Sequence, residues 1–182
     1  MKNGKRSFLY GLFCLGVMAA MLLAFPGVSH AYTYQNSEFL FQIECPEPPR
    51  QVLPVNSDDR GVALDFSPHE KQLNVWMVQV RKDSFVNPRQ LSTEEREKLL
   101  AELLKADYGS DKICETSSFV KVGKYEGVML LIRHKDQRLA ISLVQTDRGY
   151  FMLTLLGSLA DKEAFGKNLQ LYKKGLVTFQ TL

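Results

Sequence analysis

Cys45 and Cys114 carry the strongest chemical signal in the sequence. Both lie beyond an export-type leader, their number there is even, and an oxidising compartment would permit a disulfide between them. A reactive-thiol role has less behind it, because nothing basic or helix-terminal surrounds Cys45 to favour its thiolate. His69 stands in the turn Ser67-Pro68-His69-Glu70, and His134 closes an apolar run. Neither has the partner spacing of a zinc site, since HExxH, a CxxC pair and H-x3-H are all missing, so no metal and no cofactor is expected. The hydrolase elbow G-x-S-x-G is also missing, and Gly157-Ser158-Leu159 has no identifiable histidine and acid partner. Gly109-Ser110 and Gly123-Lys124 stand alone and build no phosphate-binding loop. What remains is carboxylate chemistry. Two of the 20 Asp and Glu residues could act as general acid and base on a glycosidic bond, which needs only about 5 to 9.5 Å between them in space. No spacing selects such a pair, and no catalytic residue is assigned.

The elements that position these residues follow a leader. Lys2, Lys5 and Arg6 come first, an uncharged run extends from Ser7 to Phe25, and Pro26-Gly27-Val28-Ser29-His30-Ala31 closes the segment. Basic, apolar and small-residue regions in that order predict a signal peptide over residues 1–31. Ser29 and Ala31 offer the small side chains a signal peptidase accepts, which places cleavage between Ala31 and Tyr32. The competing reading is an uncleaved N-terminal anchor, because about 18 apolar residues can span a bilayer. Cys14 follows bulky Phe13 and does not read as a lipid-attachment site.

Removing the leader takes three basic residues and no acidic one, leaving 20 Lys and Arg against 20 Asp and Glu. The overall charge of +3 therefore belongs to the leader. A nucleic-acid partner is not expected, since that needs a concentrated basic surface. Membrane contact is expected only through an uncleaved leader. Residues 32–182 have the length of one domain.

Along that domain, Tyr32 to Asn36 reads as a short polar lead-in. Phe39, Phe41 and Ile43 alternate with Leu40, Gln42 and Glu44 as in a half-buried strand ending at Cys45-Pro46, and prolines hold Glu47 to Pro54 as a loop or edge segment. Val62, Leu64 and Phe66 mark a second strand. Lys71 to Val80 is apolar at both parities, through Val75 and Met77 on one side and Trp76 and Val78 on the other, and should be central. Ser92-Thr93-Glu94-Glu95 forms a capping box before a helix with the stripe Leu99, Leu100, Leu103 and Leu104. From Ile113 the pattern is β again, with turns at Gly123-Lys124, Lys135-Asp136-Gln137 and Asp147-Arg148-Gly149 predicting an antiparallel meander through Leu156. A last helix starts near Ser158 or Asp161 and carries Phe165, Leu169, Tyr172 and Leu176 on one face. The element order predicts an α+β fold, an antiparallel β-sheet packed by helices.

The strand Phe39-Leu40-Phe41-Gln42-Ile43-Glu44-Cys45-Pro46, the capped mid-chain helix, and the Tyr150 to Leu156 strand leading to a closing helix at Thr178-Phe179 resemble the PsbP-like superfamily. That resemblance implies an α/β/α sandwich and a non-enzymatic binding or assembly module; it carries over no site residue. The expectation is thus an exported envelope protein that binds an unidentified envelope protein or ligand. An exported hydrolase using carboxylates or a serine is the second reading, and a membrane-tethered structural protein the third.

Overall fold

The computed structural model describes residues 31–56, 60–69, 72–81, 92, 94, 95, 98 and 112–182. The leader through His30, most of the stretch expected to form the Ser92 helix with its leucine stripe, and residues 82–91 lie outside the described residues. The capping box itself is present: Ser92 N donates to Glu95 Oε2 at 2.9 Å and Glu95 N to Ser92 Oγ at 3.3 Å. Hydrogen bonding to its carboxylate by the Ser92 side chain, and then by the Ser92 N–H, lowers the Glu95 pKa, and Glu94, Glu95 and Lys98 are helical.

Two antiparallel sheets are built from the strands. The smaller joins β1 (Tyr32–Asn36), β2 (Phe41–Cys45) and β10 (Gln180–Thr181), with β2 in the middle. The larger contains β3 (Gln51–Asn56), β4 (Arg60–Asp65), β5 (Asn74–Arg81), β6 (Lys112–Val122), β7 (Tyr125–His134), β8 (Gln137–Thr146) and β9 (Gly149–Ser158), in the order β3-β4-β5-β9-β8-β7-β6. The expected meander is β6 to β9, with each turn where the Gly and Asp residues of Gly123-Lys124, Lys135-Asp136 and Asp147-Arg148-Gly149 place it. Gly123 has φ +57°, and a Cβ there would sit 1.9 Å from the Phe179 carbonyl oxygen, so this turn requires glycine. Tyr32 to Asn36, expected as a polar lead-in, is instead a strand. Its register with β2 runs from Tyr32↔Cys45 to Asn36↔Phe41, and backbone pairing rather than apolar alternation sets it. Pro54 sits on β3, an edge strand that needs no inward amide at that position.

Pairing across the larger sheet fixes two faces. On one, Leu64, Trp76, Leu155, Ala140 and Leu131 follow one another in register, as do Val62, Val78, Leu153, Ser142 and Met129. This face joins the main core with Phe41, Ile43 and Cys45 of β2. The opposite face buries Val128, Leu130, Ile132, Leu139, Ile141, Leu143 and Met152 as a second cluster. β5 gives Trp76 and Val78 to the first face, whereas Val75 and Met77 on the other are half-buried and lie outside the second cluster, so β5 is less fully covered on that face than its apolar sequence predicts.

The helix α1 (Lys162–Thr178) lies on the first face. Asp161 is its N-cap, accepting from Ala164 N at 2.9 Å. The expected stripe is confirmed: Phe165, Tyr172 and Leu176 are buried and Leu169 packs partly buried against the core. The Tyr172 hydroxyl donates to the Leu153 carbonyl at 2.7 Å and reaches Ser142 Oγ at 3.1 Å; burial raises its pKa. Glu44 N donates to Thr178 Oγ1 at 2.9 Å, and Gly123 N donates to the Leu176 carbonyl at 2.8 Å, satisfying a helix-end acceptor. The architecture is α+β, mostly antiparallel sheet. Within the described residues one full helix covers one face, so the α/β/α sandwich is met only in part.

Candidate functional site

The start of β5 and the start of α1 flank an open hollow of about 410 Å³ lined by Gln72, Asn74, Asp161, Glu163, Lys167 and Asn168. Asn74 is placed by its backbone. Its N–H donates to Ser67 Oγ at 3.0 Å, its carbonyl accepts from Phe66 N at 2.8 Å, and it stands opposite Gly157 of β9. Parity with Trp76 turns its side chain to the α1 face. Gly157 leaves room there for Phe165, whose ring lies 2.6 Å from where a Gly157 Cβ would stand. Asn74 is 8% exposed, and its Oδ1 has no hydrogen-bond partner among the described residues. A buried unsatisfied polar atom costs on the order of 1–3 kcal/mol.

The charges around Asn74 are committed. Asp161 Oδ1 caps the helix and Oδ2 accepts from Gln72 Nε2 at 3.4 Å. Glu163 pairs with Lys167 at 2.7 Å. The cavity therefore offers amide hydrogen-bonding groups rather than an uncommitted nucleophile or ion.

Two further polar clusters flank the core. In one, Arg138 lies over the Phe165 ring at 5.4 Å and donates through Nε and Nη2 to Glu115 Oε2 at 3.0 and 2.6 Å, while Arg133 Nε reaches Glu115 Oε1 at 2.9 Å. Glu115 thus bridges two arginines opposite each other on β7 and β8. In the other, Asp147 accepts from the Tyr125 hydroxyl, from Thr181 Oγ1 at 2.9 Å and from Lys124 Nζ at 3.1 Å. A hollow of about 290 Å³ between Gly123, Val177 and Thr181 adjoins it.

Tyr125 foremost, then Thr181 and Lys124, hold the Asp147 carboxyl far below the usual carboxylate range. A lowered folded-state pKa gives stability that is fully present above the ordinary Asp value of about 3.9 and lost as pH falls through the folded value. Asp147 is expected to titrate last among the aspartates in a carboxyl-detected NMR titration. Asp147→Asn is expected to speed amide exchange at Gln180 to Leu182 while leaving β8 exchange unchanged; equal exchange in both proteins would show that Asp147 does not tether β10.

The bridge expected between Cys45 and Cys114 is not made. Cys45, the last residue of β2, is buried in the core, 1% exposed, whereas Cys114 lies exposed on β6, next to a register shift in its pairing with β7. Burial pushes the Cys45 thiol up to about 12. With the native protein at neutral pH, Cys114→Ser is expected to remove the fast-reacting thiol and Cys45→Ser to leave it. Cys45 should react only after unfolding.

His69 is exposed in its turn, its carbonyl accepting from Gln72 N at 3.0 Å, and His134 ends β7 opposite Gln137. No group of three or more His, Cys, Asp or Glu among the described residues could hold a metal. Ala31 and Tyr32 are both exposed, Tyr32 being the first residue of β1. No helix among the described residues is long and apolar enough to cross a membrane. Sequence reasoning missed Asn74 and Asp147, which look locally like a polar strand end and a turn. Their partners lie far along the chain.

The strand order and the helix on the β5-β9-β8 face can be compared with solved structures. Cyanobacterial PsbP from Synechocystis superposes with a TM-score of 0.57 at 9% identity, covering 87% of this chain and 96% of that one. The chain has the PsbP fold. A Pseudomonas aeruginosa protein of unknown function also matches, with a TM-score of 0.46, 12% identity, and coverage of 81% and 96%. No family model matches the sequence, and no curated protein is significantly similar to it. The PsbP resemblance is thus one of fold, carried by topology and not by shared residues.

Proposed function

We propose that the chain is an exported, non-enzymatic protein of the cell envelope that acts as a binding or assembly module on a PsbP fold. The observation that carries this reading is the open hollow lined by Gln72, Asn74, Asp161, Glu163, Lys167 and Asn168. It presents hydrogen-bonding amides beside carboxylates that are already engaged, a composition suited to holding a ligand more than to attacking one. A carboxylate hydrolase would need an acid and a base aimed at a common bond, and Asp161 and Glu163 are committed to a helix cap and a lysine.

Export rests on the leader and on the position of Tyr32. Cleavage between Ala31 and Tyr32 would leave β1 whole, and intact-mass measurement of protein from the native envelope should give an N-terminus at Tyr32. Retention of the leader would favour the tethered form instead. Supporting the fuller α/β/α description are the helical residues Glu94, Glu95 and Lys98 and the burial of the second sheet face.

Crosslinking in intact cells tests the central claim. A specific partner or ligand recovered repeatedly, and lost when the Asn74 cavity is filled, is the expected result. Repeated failure under several crosslinking chemistries would sink the module reading.

A further inference from the structure

We propose that Arg133 and Arg138, bridged by Glu115 at the β6 margin of the larger sheet, form a docking point for a carboxylate of an acidic peptide segment carried by the partner. This rests on the binding-module reading and names the chemistry of that partner.

The sheet itself assembles the cluster. A cross-strand row of Asn74, Gly157, Arg138, Arg133 and Ile113 runs from β5 through β9, β8 and β7 to the edge strand β6, so the arginines continue the row that begins at the hollow. Like charges directly opposite one another destabilise a sheet. Glu115 answers them from a bulge: Cys114 aligns with Ile132 and Thr116 with Leu131, which leaves Glu115 as the extra residue of β6. A bulge re-aims a side chain, and this one brings a carboxylate to both guanidinium groups.

One carboxylate does not neutralise two arginines, and the two are not held alike. Arg138 gives two hydrogen bonds to Glu115 Oε2, lies over the Phe165 ring, and has a side chain 22% exposed. Arg133 approaches Glu115 through Nε, and its side chain is 44% exposed. Its terminal nitrogens have no hydrogen-bond acceptor among the described residues. A guanidinium carries its donors in a planar fork that matches a carboxylate. The sheet margin therefore presents one surplus positive charge with an accessible fork.

The surroundings select the anion. A carboxylate matches a single surplus charge and closes an alternating ring with Glu115 between the two arginines. A phosphate group such as a phosphoserine carries about −1.5 to −2 and would be repelled by Glu115. Ile113 stands directly opposite Arg133 and is 55% exposed, an apolar surface from which a small free anion gains nothing. A peptide with an apolar side chain next to its acid covers Ile113 while its carboxylate takes the Arg133 fork.

The test is fluorescence anisotropy of the purified protein with a short, labelled, end-capped peptide of Glu-Leu-Gly repeats. The comparison arms are the same peptide with Gln for Glu, inorganic phosphate as competitor, and phosphatidylglycerol vesicles. The acidic peptide is expected to bind with Kd of about 1 mM or tighter, and its Gln version at least about tenfold more weakly. Added salt should weaken binding. Arg133→Gln should lower affinity about tenfold without lowering Tm, and Arg133→Lys, which keeps the charge and loses the fork, should restore only part of it. Glu115→Gln should tighten binding, because it removes the internal competitor. Equal binding of both peptides, or unchanged affinity in Arg133→Gln, would overturn the proposal; so would a preference for phosphate or for the vesicles over the peptide. An envelope partner crosslinked equally well to Arg133→Gln in cells overturns this inference alone, whereas repeated failure to recover any partner removes the module reading and this inference with it.

Discussion

Replacing Trp76 with alanine is expected to cost about 3–5 kcal/mol, a large share of the roughly 5–15 kcal/mol that holds a domain together. Trp76 is 1% exposed. Its ring meets Phe66 edge-on at 5.3 Å and Tyr172 at 5.5 Å and 83°, so it joins β4's end, β5 and α1. Truncation leaves a cavity bounded by three elements that cannot all collapse into it. One effect opposes this: the indole N–H has no partner, and deleting it relieves on the order of 1–3 kcal/mol. Trp76→Phe separates the two, since it keeps a six-membered ring and removes the orphaned donor; its expected cost is below that of alanine, with a smaller cavity left behind. Urea unfolding followed by circular dichroism measures both, because the chain's single tryptophan is itself altered. Similar costs for the two variants would show that the ring's volume is not what matters.

Gly175→Ala is expected to destabilise by about 1–3 kcal/mol, although a helix-interior glycine ordinarily costs about 1 kcal/mol relative to alanine. The added Cβ would stand 2.7 Å from Trp76 Cζ3 and 2.8 Å from the Glu44 backbone oxygen. A flexible side chain could give way; the backbone of β2, paired on both sides, cannot do so without disturbing the small sheet. Gly166 lies on the same helix with nothing within 4 Å of its Cβ position, and Gly166→Ala is expected to stabilise by about 0.5–1 kcal/mol. Opposite signs in thermal unfolding are the predicted outcome. A gain at Gly175 would mean that α1 sits further from β2 than described.

Elements with local causes were readable from the residues. The Ser92 capping box, the turns at Gly123-Lys124 and Lys135-Asp136, and the Phe165, Tyr172, Leu176 stripe each follow from chemistry within a few positions, and the structure has them. The polar strand Tyr32–Asn36 was not readable, because its partner on β2 supplies the hydrogen bonds that define it while most of its side chains stay in water. The two residues of β10 are a strand only because β2 is beside them. The disulfide failed for a related reason: an even count of cysteines says nothing of direction, and one sulfur faces the core while the other faces solvent. The candidate site was illegible for the same cause at longer range. Asn74 becomes notable only when Asp161 and Asn168 arrive beside it.

The small sheet has a consequence for the timing of folding. Gln42 and Gln180, hydrogen-bonded through their side chains at 2.8 Å, are 138 residues apart, and Thr181 aligns with Phe41. While the chain is being synthesised, β2 can acquire β1 early but must wait for residue 181 to leave the ribosome before its other edge is filled. Closure over so long a separation is entropically costly and slow. A growing chain therefore stays short of its final packing until synthesis has passed almost all of the domain.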